Sequence, residues 1–382
     1  MRPMRPMRPL SPSRPAGPAG ATTRRGVLPL LLTAAGGLSL AACGVTAASR
    51  GADPRGAEVT PGEGAWGPVE LVLGHFVPTR HEFHAQLLEP WAREVEGRSG
   101  GRLRIAIHPG GSLGPAPAQY QNVSAGAMDI GLGVHSYTPG RFPLTESLEL
   151  PFLWDSAGRA TQALQALYRG VPALRREYAD ARVLALWANG PAQVMTTKKP
   201  VRGLDDLKGL KLRSPGRLHN RTIEALGGVP LSTAITEVYD ALERGVAHGA
   251  INAPSTFSSF NLTEVIRHTA LADVTVATFF LVMNKARWEA LPREAQALLE
   301  DLSGEALALR AAQVSDETEA SGAELAAQKG VELYRLPPDE LRRWKEAVAA
   351  VPRQWIAEAE GKGLPGRLVY EALAQHSPHA AR

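Results

Sequence analysis

The chain has 382 residues, 44% hydrophobic and 21% charged, with a formal charge of +4 and a single cysteine. That length suits two domains, and one cysteine excludes a disulfide framework. Six of the 42 Lys and Arg residues precede Cys43, where no acidic residue lies, so the remainder carries 36 basic against 38 acidic groups, a formal −2, which removes the bulk case for a nucleic-acid binder.

Residues 1–43 read as a targeting segment. The opening "RPMRPMRPLSPSRPAGPAG" is basic, repetitive and Pro-rich, a composition that cannot build a core. Arg24 and Arg25 then precede "GVLPLLLTAAGGLSLAA", which is interrupted by Pro29, Gly36 and Gly37. Its apolar run is shorter than the ~20 residues a spanning helix needs, and the paired arginines fit a Tat export signal. The stretch ends in "LAAC", which resembles a bacterial lipobox, so Cys43 is expected to be lipidated and to become the new N-terminus; the other reading is a lone buried thiol. The Gly-, Ala- and Pro-rich residues 44–67 read as a flexible tether.

Folded elements begin with "VELVLGHFVP" (69–78), a short apolar strand. Phe83, Leu87, Leu88, Trp91 and Val95 recur at spacings of three and four and predict an amphipathic helix over about 81–98. "RLRIAIHP" (102–109) alternates as a half-buried strand does, "GGSLGP" turns into a helix ending near Gly126, and "MDIGLGV" (128–134) reads as a buried strand. This strand–helix alternation predicts an α/β layer with a largely parallel sheet. Further strands are expected at 182–190, 192–201 and, as one long run, 274–284, with helices at 217–227 and 234–245. After Pro292 the chain is almost entirely helical. The pattern predicts two α/β lobes tied by late strands and long terminal helices.

Signatures of catalysis are sparse. "HEFH" (81–84) puts two histidines three apart, but no third metal ligand accompanies them, so these are expected to be surface residues and no metal is predicted. There is no G-x-S-x-G elbow and no P-loop, and "PGGSLG" lacks the Lys-Ser/Thr pair of one. Asp205 and Asp206 fit a helix start. Neither an enzymatic activity nor a cofactor is predicted.

Four stretches in order, "SAGAMDIGLG...YTPGRFPLTESLELPFLW" (124–154), "KKPVRGLDDLKGLKLRSPG" (198–216), "EALGGVPLSTAITEVYDALERGVAHGAINAP" (224–254) and "FFLVMNKARWEALP" (279–292), resemble the DctP-type solute-binding proteins of tripartite ATP-independent periplasmic (TRAP) transporters, over about residues 68–370. The resemblance implies a two-lobed periplasmic binding protein fold, type II-like, with hinge-crossing strands. It divides as lobe I, 68–190 plus about 275–312, and lobe II, 191–274 plus about 313–382. It also implies an extracytoplasmic subunit that delivers a small organic acid to TRAP membrane permease subunits, and the lipobox adds an expected lipid anchor to the membrane surface. In the family's "GLK-hydrophobic-R" motif the arginine binds the substrate carboxylate, which here implies Arg213, and Asn252 of "HGAIN" stands where an asparagine assists it. A guanidinium suits the task because its planar fork matches two carboxylate oxygens and keeps its charge when buried.

Departures from the family pattern also matter. A second arginine found in many members is replaced by Ala192, with Asn189 and Gln193 beside the gap; His248 stands for an acid and Ile235 for a phenylalanine. A mouth with less positive charge than in sialic-acid or C4-dicarboxylate binders is implied. His75 and Phe76 end the first strand at the lip where open α/β sheets bind ligands. Tyr137, Trp187 and Phe279 or Phe280 could supply apolar walls, while Tyr239 is expected in the core. Two rival readings remain, a ligand-presenting sensor subunit for a membrane receptor and an exported hydrolase.

Overall fold

The computed structural model describes residues 66–379. The expected signal segment at 1–43, the lipidation site Cys43 and nearly all of the 44–67 tether lie outside the described residues. From Val69 onward the chain is organised around two sheets.

The first sheet has the order β2-β1-β3-β10-β4. Its members are β1 (Val69–His75), β2 (Leu103–His108), β3 (Ile130–Val134), β4 (Ala181–Ala188) and β10 (Thr278–Asn284). β1 runs parallel to β2 and β3, and β10 is antiparallel to β3 and β4. The second sheet has the order β11-β9-β5-β8-β6-β7, from β5 (Ala192–Thr196), β6 (Lys211–Ser214), β7 (Val229–Ser232), β8 (Gly249–Asn252), β9 (His268–Thr275) and β11 (Glu332–Arg335). The periodicity that predicted the first strands reflects burial: Leu71, Leu73, Leu103, Ile130 and Leu132 are all in the core.

Several expectations need correction. The run at 274–284 is not one strand, because β9 ends at Thr275 in the second sheet and β10 starts at Thr278 in the first. The chain crosses between sheets at Val276 and Ala277, and crosses the other way between Ala188 and Ala192. The crossings are tied together: Asn189 N–H donates to the Ala277 carbonyl (3.0 Å), and Ala277 N–H donates to Asn189 Oδ1 (2.7 Å). The helix predicted over 81–98 opens as a π-helical turn, Phe83–Leu88, before the α-helix Glu89–Arg98. Its "HEFH" histidines are buried, His81 and His84 each at 6% exposure, rather than on the surface.

Three further helices position the site. α2 (Ala157–Gly170) covers β4, α3 (Arg217–Ala225) follows β6, and α4 (Gly304–Gln328) runs 25 residues along both sheets. α4 grips each side through an acid. Asp316 accepts from Ala157 N–H (2.7 Å) and Gly158 N–H (3.0 Å) at the start of α2, whereas Glu319 accepts from Ser255 N–H (2.8 Å) beyond β8. The helices after β11 touch both sheets' layers, Ala350–Gly361 lying against α3 and Gly366–His376 against α2. Tyr239, expected in the core, is half-buried with its hydroxyl donating to Glu264 (2.8 Å).

Candidate functional site

Arg213 follows from strand alternation in β6. Lys211 is exposed, Leu212 is buried in the core, and Arg213 points to the opposite side from Leu212, into the space between the lobes. Pro215 and Gly216 then turn the chain into α3. Arg213 is 2% exposed and each guanidinium nitrogen makes one bond: Nε donates to the Thr233 carbonyl (2.8 Å), Nη1 to Asn252 Oδ1 (2.6 Å) and Nη2 to the Tyr137 hydroxyl (3.0 Å), which leaves a second N–H on Nη1 and on Nη2. All three acceptors are neutral, and among the described residues no carboxylate forms an ion pair with it. Burial pulls its pKa below the ordinary arginine value, opposed by Tyr137 and Glu237, yet arginine stays cationic in a protein.

Arg213 lines a cleft whose empty space, open mouth included, is about 590 Å³. Its walls come from both sides of the cleft. Phe76, Phe83, Val134, Tyr137 and Phe279 belong to the first sheet's layer, and Arg213, Ile235, Asn252, Ser255 and Phe260 to the second's. The aromatic rings fix one another: Phe76 meets Tyr137 edge-on at 5.8 Å, and Phe83 meets Phe279 edge-on at 5.0 Å.

The lobes are closed on this cavity. Tyr137 accepts from both Arg213 and Ile235 N–H (2.8 Å) across the cleft. Gly216 approaches so closely that a Cβ there would lie 2.7 Å from Ser136 Cβ. Deeper in the same seam, His219 Nδ1 stands 3.4 Å from Glu149 Oε2. Burial would raise the Glu149 pKa, but His219 and Thr278 together hold it below the usual value, so a carboxylate anion is kept inside the fold.

Of the nine side chains anticipated for binding, six line the cavity: Arg213, Asn252, Asn189, Phe76, Tyr137 and Phe279. Asn252 Nδ2 is buried with no partner among the described residues, so a donor is held unused beside the guanidinium. The other three stand behind the wall. Trp187 is fully buried and stacks on Phe279 at 5.7 Å. His75 bonds His84 (2.9 Å), and burial first, then His84 and His81, push its pKa down to about 3, leaving it neutral. Gln193 braces a bulge instead: its Oε1 accepts from Ala272 and Asp273 N–H, and its Nε2 donates to Asp273 Oδ1 and the Pro191 carbonyl. Phe280 faces away and packs against Gly133. The sequence reading missed His81, Glu82, Phe83, His219 and Phe260 as lining residues.

Two lobes clasped over one cavity that holds an unneutralised cation make a ligand-binding protein of the hinged, periplasmic type. The family described as bacterial extracellular solute-binding protein, family 7 (DctP) matches residues 73–358, and the chain belongs to it. It is the extracytoplasmic solute-binding subunit of a TRAP transporter, it captures a small organic acid, and it is not an enzyme. At the family level its partner is a TRAP membrane permease.

Solved structures share the architecture. A TRAP solute-binding protein from a marine metagenome, specific for aromatic acids and crystallised with 3-hydroxybenzoate, is 30% identical, covers 83% of this chain and 100% of its own, and superposes with a TM-score of 0.79. One from Rhodoferax ferrireducens T118 with copurified benzoate is 29% identical, with coverages of 82% and 100% and a TM-score of 0.78. One from Bordetella bronchiseptica with bound (R)- and (S)-mandelate is also 29% identical, with coverages of 80% and 98% and a TM-score of 0.75.

Proposed function

We propose that the organic acid is a monocarboxylate with an aromatic body, held head-first. Its carboxylate meets Arg213 and the free Nδ2 of Asn252, and its ring lies among Phe76, Tyr137 and Phe279, which Trp187 and His75 support from behind. The observation that carries this reading is the buried Arg213 guanidinium, bonded only to neutral acceptors among the described residues. A cation in that setting favours an anionic guest, and the surrounding rings favour a flat apolar one. Three similar proteins hold benzoate, 3-hydroxybenzoate or mandelate, which supports the same class.

Export through a Tat signal and anchoring by lipidated Cys43 belong to the same proposal, with the closed lobes presented to the permease subunits. Asn189 serves this cycle at the crossing strands, where closure concentrates its backbone change.

Calorimetric titration of ligand-stripped protein with aromatic, aliphatic and dicarboxylic acids tests the assignment. Charge-assisted hydrogen bonds contribute about 1.5–3 kcal/mol each, so losing two in Arg213→Met weakens binding by about 10²-fold or more. Full affinity in Arg213→Met would refute the role of Arg213, and tight binding of dicarboxylates alone would refute the aromatic class. Replacing Cys43 with Ala should release the exported protein from the membrane fraction.

A further inference from the structure

Glu82 is an acid lining a cavity that receives an acid. It is 6% exposed, and no described Lys or Arg forms an ion pair with it. Its Oε2 accepts from Ser259 Oγ (2.8 Å) and lies 3.1 Å from His81 Nδ1. That nitrogen already accepts from Phe83 N–H (3.2 Å), and burial lowers the His81 pKa, so the imidazole offers Glu82 no positive charge. Among the described residues nothing donates to Glu82 Oε1.

The neighbouring wall has the same character. Ser255 and Thr256 line the cavity with their hydroxyls already engaged, Ser255 Oγ in a hydrogen bond with Glu319 Oε1 (3.2 Å) and Thr256 Oγ1 donating to the Ala253 carbonyl (2.6 Å). What remains toward the cavity includes two acceptors, Glu82 Oε1 and Thr256 Oγ1. Arg213 and Glu82 share the cavity without forming an ion pair, so cation and anion are presented separately to whatever enters. A buried acceptor left unmatched is unfavourable, and a ligand that brings a donor relieves it.

We infer that Glu82 receives a hydroxyl group of the ligand, set apart from its carboxylate, so that the protein selects hydroxylated acids over their unsubstituted and O-methylated counterparts. A hydroxyl needs a single acceptor there, and Glu82 Oε1 supplies it. The inference rests on the reading that Arg213 takes the carboxylate, and it adds the second polar contact of the same site.

The test is calorimetry of the ligand-stripped protein with matched acids. One set is benzoate, its three hydroxy isomers and their methyl ethers; the other is hexanoate, 6-hydroxyhexanoate and 6-methoxyhexanoate. A hydroxyl donating to a buried carboxylate predicts that the best hydroxy acid binds about tenfold or more tightly than its parent and its ether. Glu82→Leu should bring that ratio to about one, while Glu82→Gln, which keeps an acceptor, retains part of it. Equal affinities for hydroxy acid, parent and ether in the wild-type protein overturn the inference, and this comparison needs no variant. So does an undiminished ratio in Glu82→Leu. If parent acids bind through Arg213 without hydroxyl selectivity, only the Glu82 subsite fails; if no acid of either set binds, the carboxylate reading fails with it.

Discussion

Removing one oxygen atom should unfasten the lobes. The Tyr137 hydroxyl accepts from Arg213 Nη2 at 3.0 Å and from Ile235 N–H at 2.8 Å, and both donors lie across the cleft from it. Tyr137→Phe keeps the ring and its edge contact with Phe76 but deletes both bonds. A bond from a charged donor is worth about 1.5–3 kcal/mol and one from a neutral amide about 0.5–1.5 kcal/mol, so the closed state loses about 2–4 kcal/mol. In the open state water satisfies the same groups. The closed-to-open ratio should therefore fall by about 30- to 1000-fold. Spin labels at Arg104 and Glu224, one exposed position on each lobe, read the separation directly once Cys43 has been replaced. The expected result is a shift of the ligand-free distance distribution toward the open form, with a matching loss of ligand affinity. A distribution and affinity within twofold of wild type would refute the clasp.

The other consequences concern closure and pH. Gly216 has an extended backbone (φ 177) that alanine tolerates, but an added Cβ would lie 2.7 Å from Ser136 Cβ and 2.8 Å from the Ser136 carbonyl oxygen; Gly216→Ala should weaken ligand binding about tenfold or more, and unaltered affinity would contradict it. Burial raises the Glu319 pKa from 4.5 to about 8. Between those values the folded protein holds a proton that the unfolded chain has released, so stability falls as pH rises through the window. Glu319→Gln should match wild type near pH 4.5 and melt progressively higher toward pH 8 and above; parallel melting curves across that range would show that Glu319 is not protonated in the fold.

The strands and most helices were legible because burial imposes a period on the sequence. Leu103 and Ile105 are buried while Arg104 is exposed, and that alternation needs no partner to be read. Arg213 was legible through its motif. The sheet crossing was not, because Val274, Thr275 and Val276 are as β-prone as the strands they join, and only the bonds between Asn189 and Ala277 mark the boundary. Gln193 was placed in the cleft by proximity to the missing arginine, but a bulge in β9, remote in sequence, presents two N–H groups that capture its amide. The "HEFH" residues misled for a related reason. Polar side chains at a helix start ordinarily face water, whereas here Ser259 and Phe260 from the far lobe cover Glu82 and His81.

What the sequence leaves least visible is the division of labour between the lobes, and that division explains why binding and closure are coupled. The polar grip belongs to the second sheet, through Arg213 on β6 and Asn252 on β8, while the aromatic wall belongs to the first, through Phe76 beyond β1, Tyr137 beyond β3 and Phe279 on β10. An acid arriving at the open cleft can satisfy one set alone; only closure brings both to it. Differential affinity of that kind is the sole means by which a ligand shifts a hinge equilibrium. Tyr137 sharpens the coupling because it belongs to the wall yet bonds the guanidinium, so the group that neutralises the ligand also fastens the lobes. A binder with cation and wall on one lobe could hold its acid as tightly and would give a permease no change of shape to read.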